Sequence, residues 1–118
     1  MREVLRRRAQ GDKDAMLAFG VYVHRLVKEI SSMVASIGGL DALVFTGGVG
    51  ERSTDVRAET VAALSFLGLE PLPTVSNGSD GPDQVLSDSR DGPQVLLVGA
   101  REDLQIARLT RKAFASAA

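Results

Sequence analysis

The chain has 118 residues, a formal net charge of −1, an aromatic content of 4% and no cysteine. This balance provides no global field for nucleic acid or an anionic membrane, the few aromatics argue against a base-stacking surface, and disulfides and thiol chemistry are excluded. We therefore expect residues 1–118 to form a single cytoplasmic domain that has neither nucleic acid nor a membrane as a partner.

The first third of the chain predicts two helices. Residues 2–9 form a short basic helix, Gly11-Asp12 ends it, and Asp12 is a candidate N-cap for the helix that follows. A long amphipathic helix is predicted over residues 13–37, up to Gly38-Gly39. Its inner face is formed by apolar residues at three- and four-residue spacing: Phe19, Val23, Leu26, Val27, Ile30, Met33, Val34 and Ile37.

A glycine-rich stretch follows the short apolar run Leu43–Phe45. Three glycines, Gly47, Gly48 and Gly50, fall within four positions before the charged pair Glu51-Arg52. We interpret the stretch as a buried strand, a glycine turn and a helix N-terminus, an arrangement at which open α/β sheets bind ligands. Glycines let a ligand lie against the main chain, and the N–H groups of a helix N-terminus suit a phosphate. The residues alone leave two alternatives open, a nucleotide site or a purely structural turn, and neither a Walker A loop nor a dinucleotide fingerprint is present.

The next segment predicts a helix, short edge strands and a loop. Ser53 or Thr54 is the candidate N-cap of a helix that ends near Leu67, and the inner face of this helix consists of Val56, Thr60, Ala63, Leu64 and Leu67. Short edge strands are predicted at Leu69–Leu72, which contains a proline, and at Val85-Leu86. The polar residues 74–84 between them predict a loop.

The last segment predicts a strand and a helix. Val95–Val98 reads as a second buried strand and a natural parallel neighbour of Leu43–Phe45. The final helix spans Arg101–Ala115, with its inner face formed by Leu104, Ala107, Thr110, Ala113 and Phe114. The fold class is therefore α/β, with a small, mostly parallel sheet flanked by helices.

Three segments together resemble the acetate kinase family, which includes acetate and propionate kinases. VFTGGVGERSTDVR resembles its VFTGGIGENS…VR signature, REVLRRRAQGDKDAMLAF resembles its D-x-R-E…GD…A-x-LA segment, and VGAREDLQIARLT resembles its I-P-T-x-E-E-x-x-I-A-R-x-T segment. The resemblance implies a domain of the actin-like ATPase superfamily, with a ribonuclease H-like fold. It also implies that this chain corresponds only to the C-terminal segment of the family's nucleotide-binding domain.

The resemblance assigns site residues at the positions that match. Arg2 matches the arginine of the D-x-R pair in the adenosine pocket, and Gly47, Gly48 and Gly50 would contact adenosine through their backbone. Glu51 follows them, and Arg52 replaces the family's asparagine with a group that can stack on adenine or meet a phosphate. A frayed terminal arginine is the structural alternative for Arg2.

The resemblance also assigns a metal residue. Glu102 matches the first acid of E-E, which helps to hold Mg²⁺ near the nucleotide phosphates. Complementarity to the helix dipole is the structural alternative for Glu102 and Asp103. Gly99-Ala100-Arg101 departs from the family's P-T-x at the preceding turn, and Arg57 matches the arginine of the V-R pair. We expect Arg57 to be an i,i+4 or capping partner of nearby acids and not a ligand contact.

The implied function is phosphoryl transfer between ATP and a short-chain carboxylate, which gives an acyl phosphate and ADP with Mg²⁺ as cofactor. In the family, the residues that bind the carboxylate lie largely in a part of the protein upstream of this segment. We therefore name no catalytic residue and expect the chain to be inactive alone. Its implied partners are the nucleotide, the carboxylate through the missing part, and a homodimer mate or the missing N-terminal half. Two alternatives stay open: an assembly module that dimerises through residues 13–37, and a segment of another actin-like kinase.

Overall fold

A long helix and a small sheet form the frame of the chain in the computed structural model, which describes residues 1–73, 82–87 and 91–117. In chain order the elements are α1 (Arg2–Ala9), α2 (Lys13–Ile37), β1 (Ala42–Phe45), α3 (Gly47–Arg52), α4 (Thr54–Ala63), a 3₁₀ turn (Ser65–Leu67), β2 (Gln84–Val85), β3 (Gln94–Leu97) and α5 (Glu102–Ala117). The α/β class predicted from the sequence is confirmed. Most of the predicted loop at 74–84 lies outside the described residues.

The ends of α2 are fixed by the two residues that the sequence predicted, Asp12 and Gly38. Asp12 has an extended backbone, and its Oδ1 accepts a hydrogen bond from the Ala15 N–H at 3.0 Å, which satisfies one of the free donors of the first turn. This bond and the Arg7 guanidinium, 2.8 Å from the carboxylate, lower the pKa of Asp12. Gly38 ends the helix with a φ of 80°, a conformation that glycine adopts without a steric penalty. The predicted N-cap and C-terminal glycine are therefore confirmed.

The sheet has three strands in the order β1-β3-β2. β1 runs parallel to β3, with Ala42 opposite Gln94 and Phe45 opposite Leu97, as the two apolar runs predicted. β2 pairs antiparallel with β3, so the sheet is mixed and the expected mostly parallel sheet is not what the described residues form. An antiparallel pair needs only a short connection, which the few residues between β2 and β3 provide.

Two apolar clusters form the core. The larger one lies between the sheet and α4 and consists of Phe45, Val61, Leu64, Leu69, Val95 and Leu97. The smaller one joins α2 to α4 and consists of Phe19, Val23 and Val56. The Arg8 guanidinium lies 4.0 Å from the centre of the Phe19 ring and pairs with Asp55 at 3.8 Å and with Glu59. α1 is thus attached to both α2 and α4 by one cation.

The segment after the glycine stretch departs from its prediction. The expected helix to Leu67 ends at Ala63 and continues as a 3₁₀ turn, which Gly68 closes with a φ of 84°. Ala63 is exposed and Leu67 is only half-buried, so the inner face is narrower than predicted. Leu69–Leu72 is not a strand, although Leu69 is buried in the core. Pro71 has no N–H to donate to a ladder, which is consistent with an irregular segment.

Two helices expose faces that were predicted to be inner. On α2, Met33 and Ile37 are 57% and 73% exposed. On α5, every predicted inner residue is exposed, including Leu104 and Phe114. Periodicity identifies an apolar face but not the element that covers it, and nothing in the described residues covers these faces. The Cα radius of gyration is 17.5 Å, against about 13 Å for a compact chain of this length. In the described part of the chain, no helix is long and apolar enough to cross a membrane.

Candidate functional site

The glycine stretch is itself a helix. Thr46 is extended, and α3 begins directly at Gly47, whose φ of 71° lies in the left-handed region that favours glycine. The sequence predicted a turn at this place with a helix after it, and the structure instead has two short helices that meet at Ser53. The side chain of Ser53 accepts a hydrogen bond from the Val56 N–H and caps α4, as predicted.

A pocket of about 260 Å³ lies between α1 and α3. It brings together three of the predicted site residues, Arg2 from the N-terminus and Gly48 and Arg52 from α3. The remaining lining residues are Met1, Leu5, Val49 and Ser53. Both arginine residues are exposed, so their guanidinium groups are accessible to a ligand from solvent. Apolar walls with two planar cations suit a ligand that has both an aromatic ring and anionic groups.

Two of the three glycines, Gly47 and Gly48, have open space where a Cβ atom would lie, and Gly50 does not. A Cβ atom built at Gly48 meets nothing within 4 Å, so this position faces open space beside the pocket. A Cβ atom at Gly50 would lie 3.5 Å from the carbonyl carbon of Phe45, an ordinary van der Waals contact between α3 and the end of β1. Neither Gly47 nor Gly50 lines the pocket in this structure. Gly47 therefore starts the helix, Gly48 lines the pocket, and Gly50 lies where α3 contacts the end of β1.

Glu51 is half-buried and has its carboxylate turned to main-chain donors. Its Oε1 atom accepts hydrogen bonds from the Gly47 N–H at 2.8 Å and from the Ala100 N–H at 2.9 Å. One carboxylate oxygen thus joins α3 to the segment that precedes α5. Glu51 does not line the pocket, and the Gly47 N–H is already satisfied within the chain.

Arg57 is buried and closes the carboxyl end of α3. Its Nη1 atom donates to the carbonyl oxygens of Gly50 at 2.7 Å and Glu51 at 2.9 Å, and its Nη2 atom donates to the Thr54 hydroxyl at 3.3 Å. Burial lowers the pKa of Arg57. The capping role expected from the sequence is present, but the partners are carbonyl groups and a hydroxyl and not acids. The guanidinium therefore satisfies carbonyls that a helix end leaves without intrahelical donors.

Glu102 is the first residue of α5 and is exposed. It does not line the pocket that contains Arg2, Gly48 and Arg52. Within residues 1–73, 82–87 and 91–117, no group of three or more His, Cys, Asp or Glu side chains could hold a metal ion. A Mg²⁺ ion held at Glu102 would therefore take most of its ligands from water and nucleotide phosphates, as this ion commonly does.

Asp83 fixes the turn before α5, a role that sequence reasoning missed. Its Oδ1 atom accepts from the Gly99 N–H at 3.0 Å, and its Oδ2 atom lies 2.6 Å from Nη2 of Arg101. The Arg101 guanidinium and the Gly99 amide lower the pKa of Asp83. Gly99 packs so closely on Pro82 that a Cβ atom would lie 2.8 Å from the Pro82 Cβ. Asp83 sits in a polar stretch with no periodicity, so the sequence carries no signal for this contact.

Comparisons with known proteins identify relatives of one kind. The profile of the acetokinase family matches residues 1–108. An acetate kinase of Synechocystis sp. is 43% identical over 108 residues, which are 92% of this chain and 26% of that protein. A crystal structure of Porphyromonas gingivalis acetate kinase superimposes with a TM-score of 0.75 at 31% identity, over 94% of this chain and 28% of that one.

A solved propionate kinase gives a similar result. The crystal structure of a propionate kinase from Francisella tularensis superimposes with a TM-score of 0.74 at 32% identity, over 90% of this chain and 27% of that one. The chain thus spans about a quarter of the length of these relatives. At identities of 31% to 43%, the chain shares sequence as well as fold with these proteins.

Proposed function

The chain belongs to the acetokinase family, and from this premise we propose that it is the C-terminal nucleotide-binding segment of an acetate kinase-like phosphotransferase. The proposed whole reaction is ATP with a short-chain carboxylate to give an acyl phosphate and ADP. We assign the segment to an actin-like ATPase domain, with ATP and Mg²⁺ as the ligands of the complete enzyme. The proposed nucleotide residues are Arg2, Gly47, Gly48, Gly50, Glu51 and Arg52, and the proposed metal residue is Glu102.

One observation carries the proposal: residues from two separate family-like segments line one pocket. Arg2 belongs to α1, whereas Gly48 and Arg52 belong to α3, and the fold brings them to the same cavity. A purely structural glycine turn does not require an open wall at Gly48 or two exposed guanidinium groups beside it. We place the adenosine part of the nucleotide in this pocket, with Arg52 stacked on the base or directed to a phosphate.

The proposed roles divide between contact and support. Gly48 and Arg52 contact the ligand directly, because they line the cavity. Gly47, Gly50 and Glu51 support the ligand through the shape of α3, since their contacts are made within the chain. Glu102 contributes one ligand to Mg²⁺, which neutralises phosphate charge in phosphoryl transfer.

We propose that the isolated chain does not catalyse the reaction. Phosphoryl transfer needs groups that orient the acceptor and stabilise the transferred group, in addition to a nucleotide cradle. The chain spans about a quarter of the length of its relatives, and we propose that the groups that orient the acceptor lie in the rest of such a protein. Formation of acetyl phosphate above background by the purified chain with Mg-ATP and acetate would contradict this proposal.

The decisive experiment is a titration of the purified chain with Mg-ATP, followed once by calorimetry and once by amide NMR. We expect saturable binding with shifts at Gly48 and Arg52, and binding weaker by about tenfold or more in Arg52→Ala, since a charge-assisted contact is lost. Arg25→Ala, which removes an exposed arginine on α2 away from the pocket, is the matched control and should bind as the unaltered chain does. A folded chain that does not bind Mg-ATP would refute the nucleotide site.

A second candidate function is assembly without catalysis, in a homodimer or with the missing half. The observation that favours it is the exposed apolar surface of α2, where Met16, Leu17, Val21 and Tyr22 are all at least 39% exposed. Such surface commonly marks a protein interface. Sedimentation at increasing concentration separates the two functions: a concentration-dependent dimer that is indifferent to Mg-ATP would favour assembly, and a monomer that binds Mg-ATP would favour the nucleotide function.

A further inference from the structure

Glu51 bridges two segments that are distant in the sequence. Its Oε1 atom accepts from the Gly47 N–H at 2.8 Å and from the Ala100 N–H at 2.9 Å. Gly47 begins the helix that lines the pocket, and Ala100 lies just before α5 begins at Glu102. A single carboxylate oxygen therefore joins the start of α3 to the segment just before α5, and both helices carry predicted site residues.

The sheet explains why this bridge is possible. β1 and β3 are parallel neighbours, with Phe45 opposite Leu97, and the Val98 N–H donates to the Phe45 carbonyl oxygen at 2.9 Å. The carboxyl ends of the two strands consequently meet at the same edge of the sheet. The chain turns into α3 after one strand and towards α5 after the other, and Glu51 spans the gap between these turns.

The chemistry of the bridge favours a carboxylate. Both donors are backbone amides, and bonds from amides to an ionised acceptor are shorter and stronger than bonds to a neutral one. An amide side chain at this position would retain an oxygen acceptor but lose the charge. An apolar side chain of similar length would leave both N–H groups without this partner.

We propose that Glu51 is a positioning residue, which fixes the pocket helix α3 against the segment that leads into α5. This proposal rests on the proposed function in one respect, namely that a nucleotide on α3 would then keep a fixed relation to Glu102 on α5. The two hydrogen bonds that form the bridge are made within the chain itself. Glu51 acts through the backbone of Gly47 and Ala100, whereas its neighbour Arg52 lines the pocket and meets the ligand directly.

The first test uses the unaltered chain without nucleotide. A through-hydrogen-bond NMR correlation should connect the amides of Gly47 and Ala100 to the side-chain carboxyl carbon of Glu51. In Glu51→Met, which keeps the length of the side chain and removes its oxygens, both amides should exchange about tenfold faster. Glu51→Gln should restore slower exchange, and Glu70→Met, at an exposed acid, should change neither amide. The absence of the correlation, or unchanged exchange at Ala100 in a folded Glu51→Met chain, would overturn the proposal.

The second test adds Mg-ATP to the same variants. In the unaltered chain, binding should shift the amides of Gly48 and Arg52 and also those of Ala100 and Glu102. Glu51→Met should keep the first pair of shifts and lose the second pair, and Glu51→Gln should recover the second pair. Loss of all binding in Glu51→Met with slow exchange still present at Ala100 would instead make Glu51 a ligand contact. If the unaltered chain does not bind Mg-ATP, the proposed function fails, while the correlation and the exchange rates still decide whether Glu51 is the bridge.

Discussion

The guanidinium of Arg57 donates to the carbonyl oxygen of Gly50 at 2.7 Å, from a position at which only 9% of the residue is exposed. The same Nη1 atom also reaches the carbonyl of Glu51, so α4 holds the carboxyl end of the pocket helix. This arrangement explains how a helix of six residues with three glycines stays ordered, because isolated short helices are unstable in water. The shape of the pocket therefore depends on a residue outside it.

Arg57→Ala should lower the free energy of unfolding by about 2–3 kcal/mol, because it leaves two partly buried carbonyls without a charged donor. Arg57→Lys should recover only part of the loss, since one ammonium cannot reproduce the fork of the guanidinium. Urea unfolding followed by circular dichroism measures both changes. Arg52→Ala is the matched control, because Arg52 is exposed, and its effect on stability should stay within about 0.5 kcal/mol. Equal losses for Arg52→Ala and Arg57→Ala would contradict this account.

The first two glycines of α3 should respond differently to alanine. Gly47→Ala should cost about 1–2 kcal/mol of stability, because its φ of 71° is unfavourable for a residue with a Cβ atom. Gly48→Ala should be neutral or slightly stabilising, since a Cβ atom there meets nothing and alanine favours helix. It should nevertheless weaken Mg-ATP binding, because the methyl group enters the pocket wall. Thermal unfolding and calorimetry on both variants check this pair, and the prediction is wrong if Gly48→Ala is the less stable of the two.

A larger side chain at Gly99, in the turn before α5, should also lower the stability of the chain. Gly99→Ala places a Cβ atom 2.8 Å from the Cβ of Pro82, so the backbone must move, at a cost of about 1–3 kcal/mol. Gly39→Ala has no such neighbour within 4 Å and no positive φ, and it should leave stability nearly unchanged. Urea unfolding measures the two variants side by side. If the Gly99→Ala chain proves as stable as the Gly39→Ala chain, Pro82 does not restrict this turn.

Patterns that depend on neighbours along the chain could be predicted from the sequence. The cap at Asp12, the stop at Gly38 and the parallel pairing of β1 with β3 follow from local chemistry and from continuous apolar runs, and the structure confirms them. Hydrogen bonds between a side chain and a backbone group far away in the sequence could not be predicted, since nothing in the spacing of Glu51 and Ala100 marks them as partners. The exposure of the apolar face of α5 could not be predicted either, because the spacing of apolar residues does not show which element covers them.

Exposure predicts a clear contrast between two leucine residues. Leu64 is 0% exposed in the main core, so Leu64→Ala should cost about 2–5 kcal/mol of stability. Leu109 on α5 is 56% exposed, so Leu109→Ala should change stability by no more than about 0.5 kcal/mol. Urea unfolding of the isolated chain tests both changes. A large loss in Leu109→Ala would show that α5 packs on the chain in solution or on a second copy, and a concentration series would separate these cases.

The Asp83–Arg101 pair should make stability depend on pH in the acidic range. The Arg101 guanidinium and the Gly99 amide hold the pKa of Asp83 below its ordinary value of 3.8. Because the pKa is lower in the folded state, the contribution of the carboxylate is complete above the ordinary value and is lost as the pH falls through the lowered one. Asp83→Asn keeps an oxygen that can accept from Gly99 and removes the charge that faces Arg101. The stability difference between this variant and the unaltered chain should therefore be present at neutral pH and vanish in strong acid.

Urea unfolding across this pH range, with carboxyl carbon NMR to follow Asp83 itself, measures the effect. Asp91→Asn is the matched control at an exposed acid, and its difference from the unaltered chain should not follow the same profile. Both members of the pair are about half exposed, so salt should reduce the difference at neutral pH. A midpoint for Asp83 at or above its ordinary value would mean that the turn before α5 is not held by this carboxylate. In that case the bridge from Glu51 to Ala100 would still join that turn to α3.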